Sequence, residues 1–370
     1  LPVDWFPSLQ ISLTAAELSK FKASSDVYLP FGFPPQPEQV LKLGNLKKTL
    51  RSLAENGPDE FYRGSIANEL VTDLNEGGSR ITLEDLHNYI PLESEPLRGK
   101  HRGHDLYTPG VTSGGHRLNE ALEYVEKNLN YSDPFGANTY ISYAKGLNKA
   151  FKSHKEKLGR TINYGCTSHM STVDSEGNMV SLTYTLLNRF GSKVVLPRTG
   201  VLMNNSVSYF DPRPGYPTSM AGGKRINSSN MCPTICVKNG EAKFAVGASG
   251  ANHIVPCTME LTAFLIDYGL SLEDAFNLPR IDVNETDLIT VDPNLGEETI
   301  NQLSRHFKIN VAQNLVFPKL YSCPSGVYRD NKKGKTYGIS DKNSPSSGAV
   351  SEGLHDFTEK AQGMSNVPRA

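Results

Sequence analysis

The sequence predicts a layered α/β fold in which β-sheet lies between layers of helices. Apolar side chains recur at helical spacing through much of residues 38–157. From residue 167 the pattern changes to short alternating runs separated by glycine-containing turns, and helical spacing returns over residues 258–277. Helices before and after a group of strands are typical of domains in which sheet is buried beneath helical layers.

The first half of the chain is predicted to be mostly helical. Residues 38–55 place leucines near one helical stripe, which ends at an Asn-Gly-Pro sequence. Thr82, followed by Glu84 and Asp85, is the predicted N-cap of a short helix. The other predictions for this half are helices over 60–74, 116–129 and 138–157 and a short strand within 102–110.

The second half is predicted to contain most of the strands. Residues 167–174 and 179–187 are two alternating runs joined by Ser-Glu-Gly-Asn, which is typical of a β-hairpin. Residues 325–370 are rich in Ser, Gly, Lys and Asn, and their end is predicted to be a loose tail. The other predictions are strands over 200–204, 234–238 and 243–247 and helices over 258–268 and 272–277.

Composition narrows the kinds of partner. The 370 residues contain 38 Lys and Arg against 39 Asp and Glu, so no overall charge favours nucleic acid, and we expect a small-molecule or peptide substrate. No run approaches the 18 apolar residues of a membrane span. The opening residues have neither the basic flank nor the apolar core of a signal peptide. The sequence starts with Leu1 rather than Met, so the question of a segment before Leu1 stays open.

The cysteines and histidines form no metal or disulfide pattern. Five cysteines without paired spacing favour a reducing compartment, and hence the cytoplasm over secretion. Cys232 and Cys236 lie within a predicted strand, and no further ligand follows at the spacing of a zinc site. The nine histidines include no HExxH motif. We therefore expect no metal and no cofactor.

A glycine-rich segment, residues 246–252, leads into a predicted helix. Backbone N–H groups at such a turn can bind an anion or a reaction oxyanion. The same composition is also typical of a tight turn with only a structural role, and the residues alone favour that second interpretation.

Ordered motifs along the chain resemble the gamma-glutamyltranspeptidase family. The sequence TSHMSTVD, residues 167–174, resembles the start of that family's small subunit. Similarity runs from about residue 38 to about residue 350. Further matches, in chain order, are residues 61–64, 77–82, 84–86, 113–115, 177–185, 190–193, 200–205, 223–225, 232–235, 247–250, 267–275 and 279–280.

The resemblance implies the fold and the division of the chain. The family belongs to the N-terminal nucleophile hydrolases, which have a four-layer αββα sandwich. Residues 1–166 then correspond to the large subunit without its amino-terminal region, and residues 167–370 to the small subunit. We expect the two parts to form one intertwined domain, present as a heterodimer of self-cleaved halves or as a homo-oligomer.

The resemblance also implies how the reaction proceeds. The precursor cleaves itself between Cys166 and Thr167, and Thr167 becomes an N-terminal nucleophile. The new α-amine, with a pKa of about 8, is suited to act as the base for the hydroxyl of the same threonine. Thr185 corresponds to the threonine that orients this hydroxyl. Gly250 and Ala251 correspond to the glycine pair of the oxyanion hole, provided that Ala251 needs no positive φ.

The substrate-binding positions depart from the family. The acidic residue that holds the donor's α-amino group corresponds here to Tyr209, and Asp211 replaces it only if the loop shifts. The serine pair that holds the α-carboxylate corresponds to Ser228 and Ser229. Asn205 is the remaining substrate-binding candidate, and we find no counterpart of the family's carboxylate-binding arginine. A gamma-glutamyl amide should therefore be a poor substrate, and Tyr209→Asp should partly restore its use.

The leading hypothesis is an amidohydrolase or acyl transferase that forms an acyl-enzyme on Thr167. Its substrate is a gamma-glutamyl amide or a similar acyl amide. Because the loop over residues 209–223 is short, the site is expected to be open, and hydrolysis is favoured over transfer. Two alternatives stay open: a silent homologue that is never processed, and an acylase of the cephalosporin type.

Overall fold

The computed structural model describes residues 1–110, 113–131, 135–159, 165–225, 229–283 and 288–352. Its helices are α1 (Trp5–Ser12), α2 (Ala15–Leu18), α3 (Lys22–Tyr28), α4 (Leu46–Asn56), α5 (Asp59–Arg63), α6 (Ser65–Glu76), α7 (Leu83–His87), α8 (Gly115–Asn128), α9 (Ala137–Leu158), α10 (Ile254–Asp267), α11 (Leu272–Asn277) and α12 (Glu297–Ser304). Its strands are β1 (Leu97–His101), β2 (His104–Thr108), β3 (Cys166–Val173), β4 (Met179–Leu187), β5 (Thr234–Lys238), β6 (Glu241–Ser249), β7 (Ile281–Val283), β8 (Leu288–Val291), β9 (Lys308–Val311), β10 (Cys323–Asp330) and β11 (Lys335–Ser340).

The largest sheet has the strand order β1-β2-β5-β6-β10-β11, and all of its neighbouring strands are antiparallel. Strands β1 and β2 precede residue 167, whereas the other four follow it. Both parts of the chain therefore build the same sheet. Strands β7, β8 and β9 form a separate three-stranded sheet.

Helices α8 and α10 pack against the large sheet, α9 packs against α8, and the three helices form the main core with β6. Helix α10 is buried around its whole circumference, as expected for a helix that lies inside the core. Its residues from Ile254 to Leu265 are all buried. Tyr143 and Phe151 of α9 pack into the same cluster. The core therefore fixes the position of the turn between β6 and α10.

Strands β3 and β4 form an antiparallel pair that packs against β6 and β10. The ring of His169 lies against Gly247 of β6, where an added Cβ would come within 2.3 Å of the imidazole. This contact requires glycine at position 247. The outward side chains of the pair are exposed at Met170, Val180, Leu182, Tyr184 and Leu186.

The amino-terminal helices are joined to the segment that follows β4. The Ser24 hydroxyl donates to the carbonyl oxygen of Lys193 at 2.5 Å. The buried Thr49 hydroxyl donates to the carbonyl of Thr199 at 2.6 Å. These long-range bonds hold residues 193–199, which lead toward the candidate binding residues Asn205 and Tyr209.

The predicted layered α/β fold is confirmed, as are the hairpin of β3 and β4 and the cap of α7. Thr82 and Asp85 form a capping box at that helix. Among the described residues, none of the helices is long and apolar enough to cross a membrane.

Four details of the sequence-based prediction were wrong. The helix expected over 38–55 is α4, which begins only at Leu46. The strand expected over 200–204 is only an isolated bridge between Val195 and Leu202. Helix α10 begins at Ile254, before the expected start, since Pro256 is tolerated in a first helical turn. Strands β10 and β11, which precede the predicted loose tail, were not predicted. The end of that tail, residues 353–370, lies outside the described residues.

Candidate functional site

Thr167 and Thr185 are directly paired across β3 and β4. Both side chains are half-buried and lie on the face of the hairpin that packs against the large sheet. Residues directly opposite in an antiparallel pair have Cβ atoms about 4.5–5.5 Å apart. The hairpin therefore brings together the two threonines that the sequence singled out.

The bond between Cys166 and Thr167 lies at an irregularity in this pairing. Cys166 pairs with Leu187, and Thr167 with Thr185, so Leu186 has no partner. Leu187 also has a positive φ of 76°. Such a bulge bends the strand and changes the direction of its side chains.

Thr185 contacts the carbonyl of the bond that was predicted to be cleaved. Its hydroxyl donates to the carbonyl oxygen of Cys166 at 2.5 Å, and the backbone N–H of Leu187 donates to the same hydroxyl oxygen at 2.8 Å. The hydroxyl of Thr185 was expected to orient that of Thr167. In the uncleaved chain it instead polarises the carbonyl that precedes Thr167.

Gly250 and Ala251 form the turn between β6 and α10. Gly250 has a φ of 135° and Ala251 a φ of 52°. The backbone N–H of His253 donates to the carbonyl of Gly250 at 3.0 Å and closes the turn. The condition that Ala251 needs no positive φ is therefore not met, and a left-handed alanine costs about 1–2 kcal/mol.

This turn lies beside the chain that leads into Thr167. A Cβ added at Gly165 would be 3.5 Å from the Cβ of Ala251. The Ser322 hydroxyl donates to the carbonyl of Ser249 at 2.6 Å and fixes the end of β6. The β3–β4 hairpin and the glycine-rich turn thus meet at the residues that precede the predicted cleavage bond.

Two of the candidate binding residues make hydrogen bonds within the protein, Asn205 through its side chain and Ser229 through its backbone carbonyl. The side-chain oxygen of Asn205 accepts from the backbone N–H of Asn188 at 3.0 Å. The carbonyl of Ser229 accepts from the guanidinium of Arg117 at 2.7 Å. Ser228, its predicted partner in carboxylate binding, lies outside the described residues.

Tyr209 is buried, with 8% of its surface exposed, and it packs against Leu187. Burial raises the pKa of its phenol to about 12. Asp211 is completely buried, and both of its carboxylate oxygens accept from the guanidinium of Arg213, at 3.0 and 2.7 Å. Asp211 is therefore engaged by Arg213, and it is not placed as a replacement for the missing acidic residue.

Sequence reasoning missed a histidine–aspartate pair next to the glycine-rich turn. His253 Nδ1 lies 2.8 Å from a carboxylate oxygen of Asp282, which is almost fully buried. Burial lowers the pKa of His253, but the nearby Asp282 carboxylate raises it, and the net shift is upward. Asp282 belongs to β7, so this long-range contact left no local signal in the sequence.

A model of the gamma-glutamyltranspeptidase family matches residues 2–159 and 139–351. The chain belongs to the gamma-glutamyltranspeptidase family. A relative, the glutathione hydrolase proenzyme of Escherichia coli (strain K12), is 31% identical over 315 residues, which are 71% of this chain and 54% of the relative. The acylase ACY 1 proenzyme of Pseudomonas sp. (strain SE83) is 30% identical over 312 residues, 73% of this chain and 55% of the relative.

A solved structure shares the fold. The cephalosporin acylase from Bacillus halodurans superimposes with a TM-score of 0.82 at 22% identity, covering 93% of this chain and 70% of that one. This agreement supports the predicted layered α/β fold. The chain spans about half the length of the curated relatives that it matches.

Proposed function

We propose that this protein is a self-cleaving amidohydrolase that uses Thr167 as its nucleophile. The observation that carries the proposal is the hydrogen bond from the Thr185 hydroxyl to the carbonyl oxygen of Cys166. The next residue, Thr167, is the direct pairing partner of Thr185. A hydrogen-bond donor on that oxygen stabilises the negative charge that develops when the carbonyl is attacked.

Self-cleavage proceeds by an acyl shift followed by hydrolysis. The hydroxyl oxygen of Thr167 attacks the carbonyl carbon of Cys166, the C–N bond breaks, and the departing nitrogen of Thr167 takes a proton. The resulting ester joins Cys166 to the Thr167 oxygen. Water then cleaves the ester and releases a carboxylate on Cys166 and a free α-amine and hydroxyl on Thr167.

The mature site repeats the same chemistry on a substrate amide. The α-amine of Thr167 has a pKa of about 8, which suits it to accept the proton of the Thr167 hydroxyl near neutral pH. The backbone N–H groups of Gly250 and Ala251 would bind the oxyanion. One such donor is worth about 3–4 kcal/mol of transition-state stabilisation.

The substrate we propose is an acyl amide other than an ordinary gamma-glutamyl one. Tyr209 is buried, Asp211 is engaged by Arg213, and Asn205 bonds to the backbone of Asn188. These contacts support the absence of the family's anchor for an α-amino group. The short loop over residues 209–223 supports hydrolysis as the main outcome, since an open acyl-enzyme is accessible to water.

The test of this function is the integrity of the purified full chain. We expect the unsubstituted chain to separate into two fragments at 166/167 on a denaturing gel, with masses that place the cut before Thr167. Thr167→Ala should stay intact, whereas Thr167→Ser, which keeps a hydroxyl, should still cleave. Thr172→Ala is the matched control, because Thr172 lies on the exposed face of the same strand.

Two results would contradict the proposal. An unsubstituted chain that stays intact would favour the silent, unprocessed homologue. A Thr167→Ala variant that still cleaves at the same bond would mean that another residue is the nucleophile.

A further inference from the structure

The turn between β6 and α10 is strained, yet it carries the two N–H groups that the proposed reaction needs. Gly250 has a φ of 135° and Ala251 a φ of 52°. Glycine adopts such backbone conformations freely, whereas an alanine in the left-handed region is disfavoured by about 5- to 30-fold. The turn on its own would therefore favour another conformation, and contacts from outside it must hold it in place.

Two hydrogen bonds from distant side chains hold the turn, which we define as residues 249–253. The Ser322 hydroxyl donates to the carbonyl of Ser249 at 2.6 Å. The side-chain amide of Asn230 donates to the side-chain oxygen of Asn252 at 2.5 Å. These bonds fix the start and the middle of the turn, but neither acts on residue 253, where the chain enters α10.

The third contact is an ion pair at the end of the turn. His253 closes the turn, since its backbone N–H donates to the carbonyl of Gly250 at 3.0 Å. Its Nδ1 lies 2.8 Å from a carboxylate oxygen of Asp282, whose side chain is only 3% exposed. Asp282 belongs to β7, which lies in the three-stranded sheet and packs against α10. A buried carboxylate in that sheet thus holds the residue whose backbone closes the turn.

The charged groups around His253 favour its protonated form. Burial, the largest influence, lowers the pKa of His253, the Asp282 carboxylate raises it, and Lys319 lowers it, with a net shift upward. Lys319 lies 3.7 Å from the carboxylate of Asp341. Glu260 of α10, whose pKa burial raises well above its usual value, is another acidic group near Asp282. The ion pair is therefore charged at low pH and loses its charge as the pH rises through the raised pKa of His253.

We propose that the His253–Asp282 ion pair holds this turn in its left-handed conformation and so positions its two N–H groups for the oxyanion. The inference rests on the proposed function. His253 is a positioning residue, since it acts through the backbone of the turn. Without the ion pair the strain at Ala251 can relax, and the N–H groups then leave the oxyanion position.

The first test measures hydrolysis of gamma-glutamyl, glutaryl and butyryl 4-nitroanilide by the self-cleaved full chain. In His253→Leu, kcat on the fastest of these compounds should fall by about 5- to 30-fold, the factor that corresponds to the strain at Ala251. KM should change less, because the lost contact is one to the charge of the transition state. His253→Asn, which keeps a donor without the charge, should lose less. Adding Ala251→Gly to His253→Leu should restore part of kcat, since glycine adopts the conformation without support.

His306→Leu is the control for this test, because His306 is exposed and follows α12 by two residues. Self-cleavage of His253→Leu should be affected less than hydrolysis, because the Thr185 hydroxyl contacts the Cys166 carbonyl in the uncleaved chain. An unchanged kcat in His253→Leu, or a loss that Ala251→Gly does not restore, would overturn the inference.

The second test does not need catalysis and uses Thr167→Ala, which is expected to stay uncleaved. Ala251→Gly should raise the urea midpoint when His253 is present but not in His253→Leu, where the turn has already relaxed, so the two substitutions should be non-additive. The stabilisation lost in His253→Leu should also be larger at about pH 6 than at about pH 9. A raised pKa in the folded chain gives stability below the usual pKa that is lost as the pH rises through the raised one. Asp282→Asn should remove this pH dependence.

Two results of the second test would overturn the inference: midpoints that add, and a loss that is the same at both pH values. Non-additive midpoints, together with no self-cleavage of the unsubstituted chain and no cleavage of any anilide, would retain the ion pair as the support of the turn and refute the proposed hydrolase.

Discussion

The two regions around Thr167 use their polar groups in different ways. In the proposed catalytic region (Thr167, Thr185, Gly250 and Ala251), the hairpin register places the Thr185 hydroxyl on the carbonyl of Cys166, and the left-handed turn lies beside the residue that precedes it. In the recognition region (Asn205, Tyr209, Asp211 and Ser229), the Asn205 side-chain oxygen, the Asp211 carboxylate and the Ser229 backbone carbonyl are bonded to the protein itself. Under the proposed function, the comparison means that the residues of acyl transfer are kept while the positions of the substrate anchors take structural roles.

The strongest test of the catalytic region is the loss of the Thr185 hydroxyl. Thr185→Val removes the donor to the Cys166 carbonyl, and we expect self-cleavage to slow by about 100-fold or more, the usual effect of losing one oxyanion donor. A time course of fragment appearance on a denaturing gel measures this rate. Thr185→Ser should cleave at a rate closer to that of the unsubstituted chain.

Thr183→Val is the matched control for this variant. It removes a hydroxyl from the same face of β4, where Thr183 contacts His169 at 2.8 Å and not the bond proposed to be cleaved. Cleavage of Thr185→Val as fast as that of Thr183→Val would show that the bond to Cys166 does not contribute. The Thr185 hydroxyl would then have only a structural role, like the bonded polar groups of the recognition region.

The second prediction concerns Tyr209 in the recognition region. The sequence alone suggested that Tyr209→Asp would partly restore the use of gamma-glutamyl amides. Because Tyr209 is buried against Leu187, we now expect this substitution to leave a cavity and to bury a carboxylate. The free energy of unfolding should fall by about 3 kcal/mol or more, comparable to truncation of a buried aromatic residue.

Urea unfolding of Tyr209→Asp beside Tyr209→Phe measures this loss. The phenylalanine variant keeps the packing and should unfold near the midpoint of the unsubstituted chain. If Tyr209→Asp is as stable as Tyr209→Phe and cleaves a gamma-glutamyl anilide faster, the recognition region faces substrate after all.

Local patterns predicted the catalytic region better than the recognition region. The alternation of β3 and β4 and the turn between them set which threonines face each other, so sequence spacing was enough to pair Thr167 with Thr185. Burial of Tyr209 depends on its contact with Leu187, and the ion pair of His253 depends on Asp282 in another strand. Such long-range contacts leave no periodic signal. The positive φ of Ala251 also escaped prediction, because alanine is not typical of that conformation.

The smallest expected effect is the gain in stability from relieving backbone strain at Ala251. Its φ of 52° is a conformation that glycine adopts without cost, so Ala251→Gly should stabilise the folded chain by about 1 kcal/mol despite the greater freedom of glycine in the unfolded chain. Ala248→Gly is the matched control: Ala248 is buried within β6, where its φ is ordinary, and the same substitution should destabilise by about 1 kcal/mol. Urea midpoints of the two variants should therefore move in opposite directions. Movement of both midpoints downward would mean that the turn holds its alanine without strain. In the proposed mechanism Ala251→Gly keeps the backbone N–H, so self-cleavage should continue in the stabilised variant.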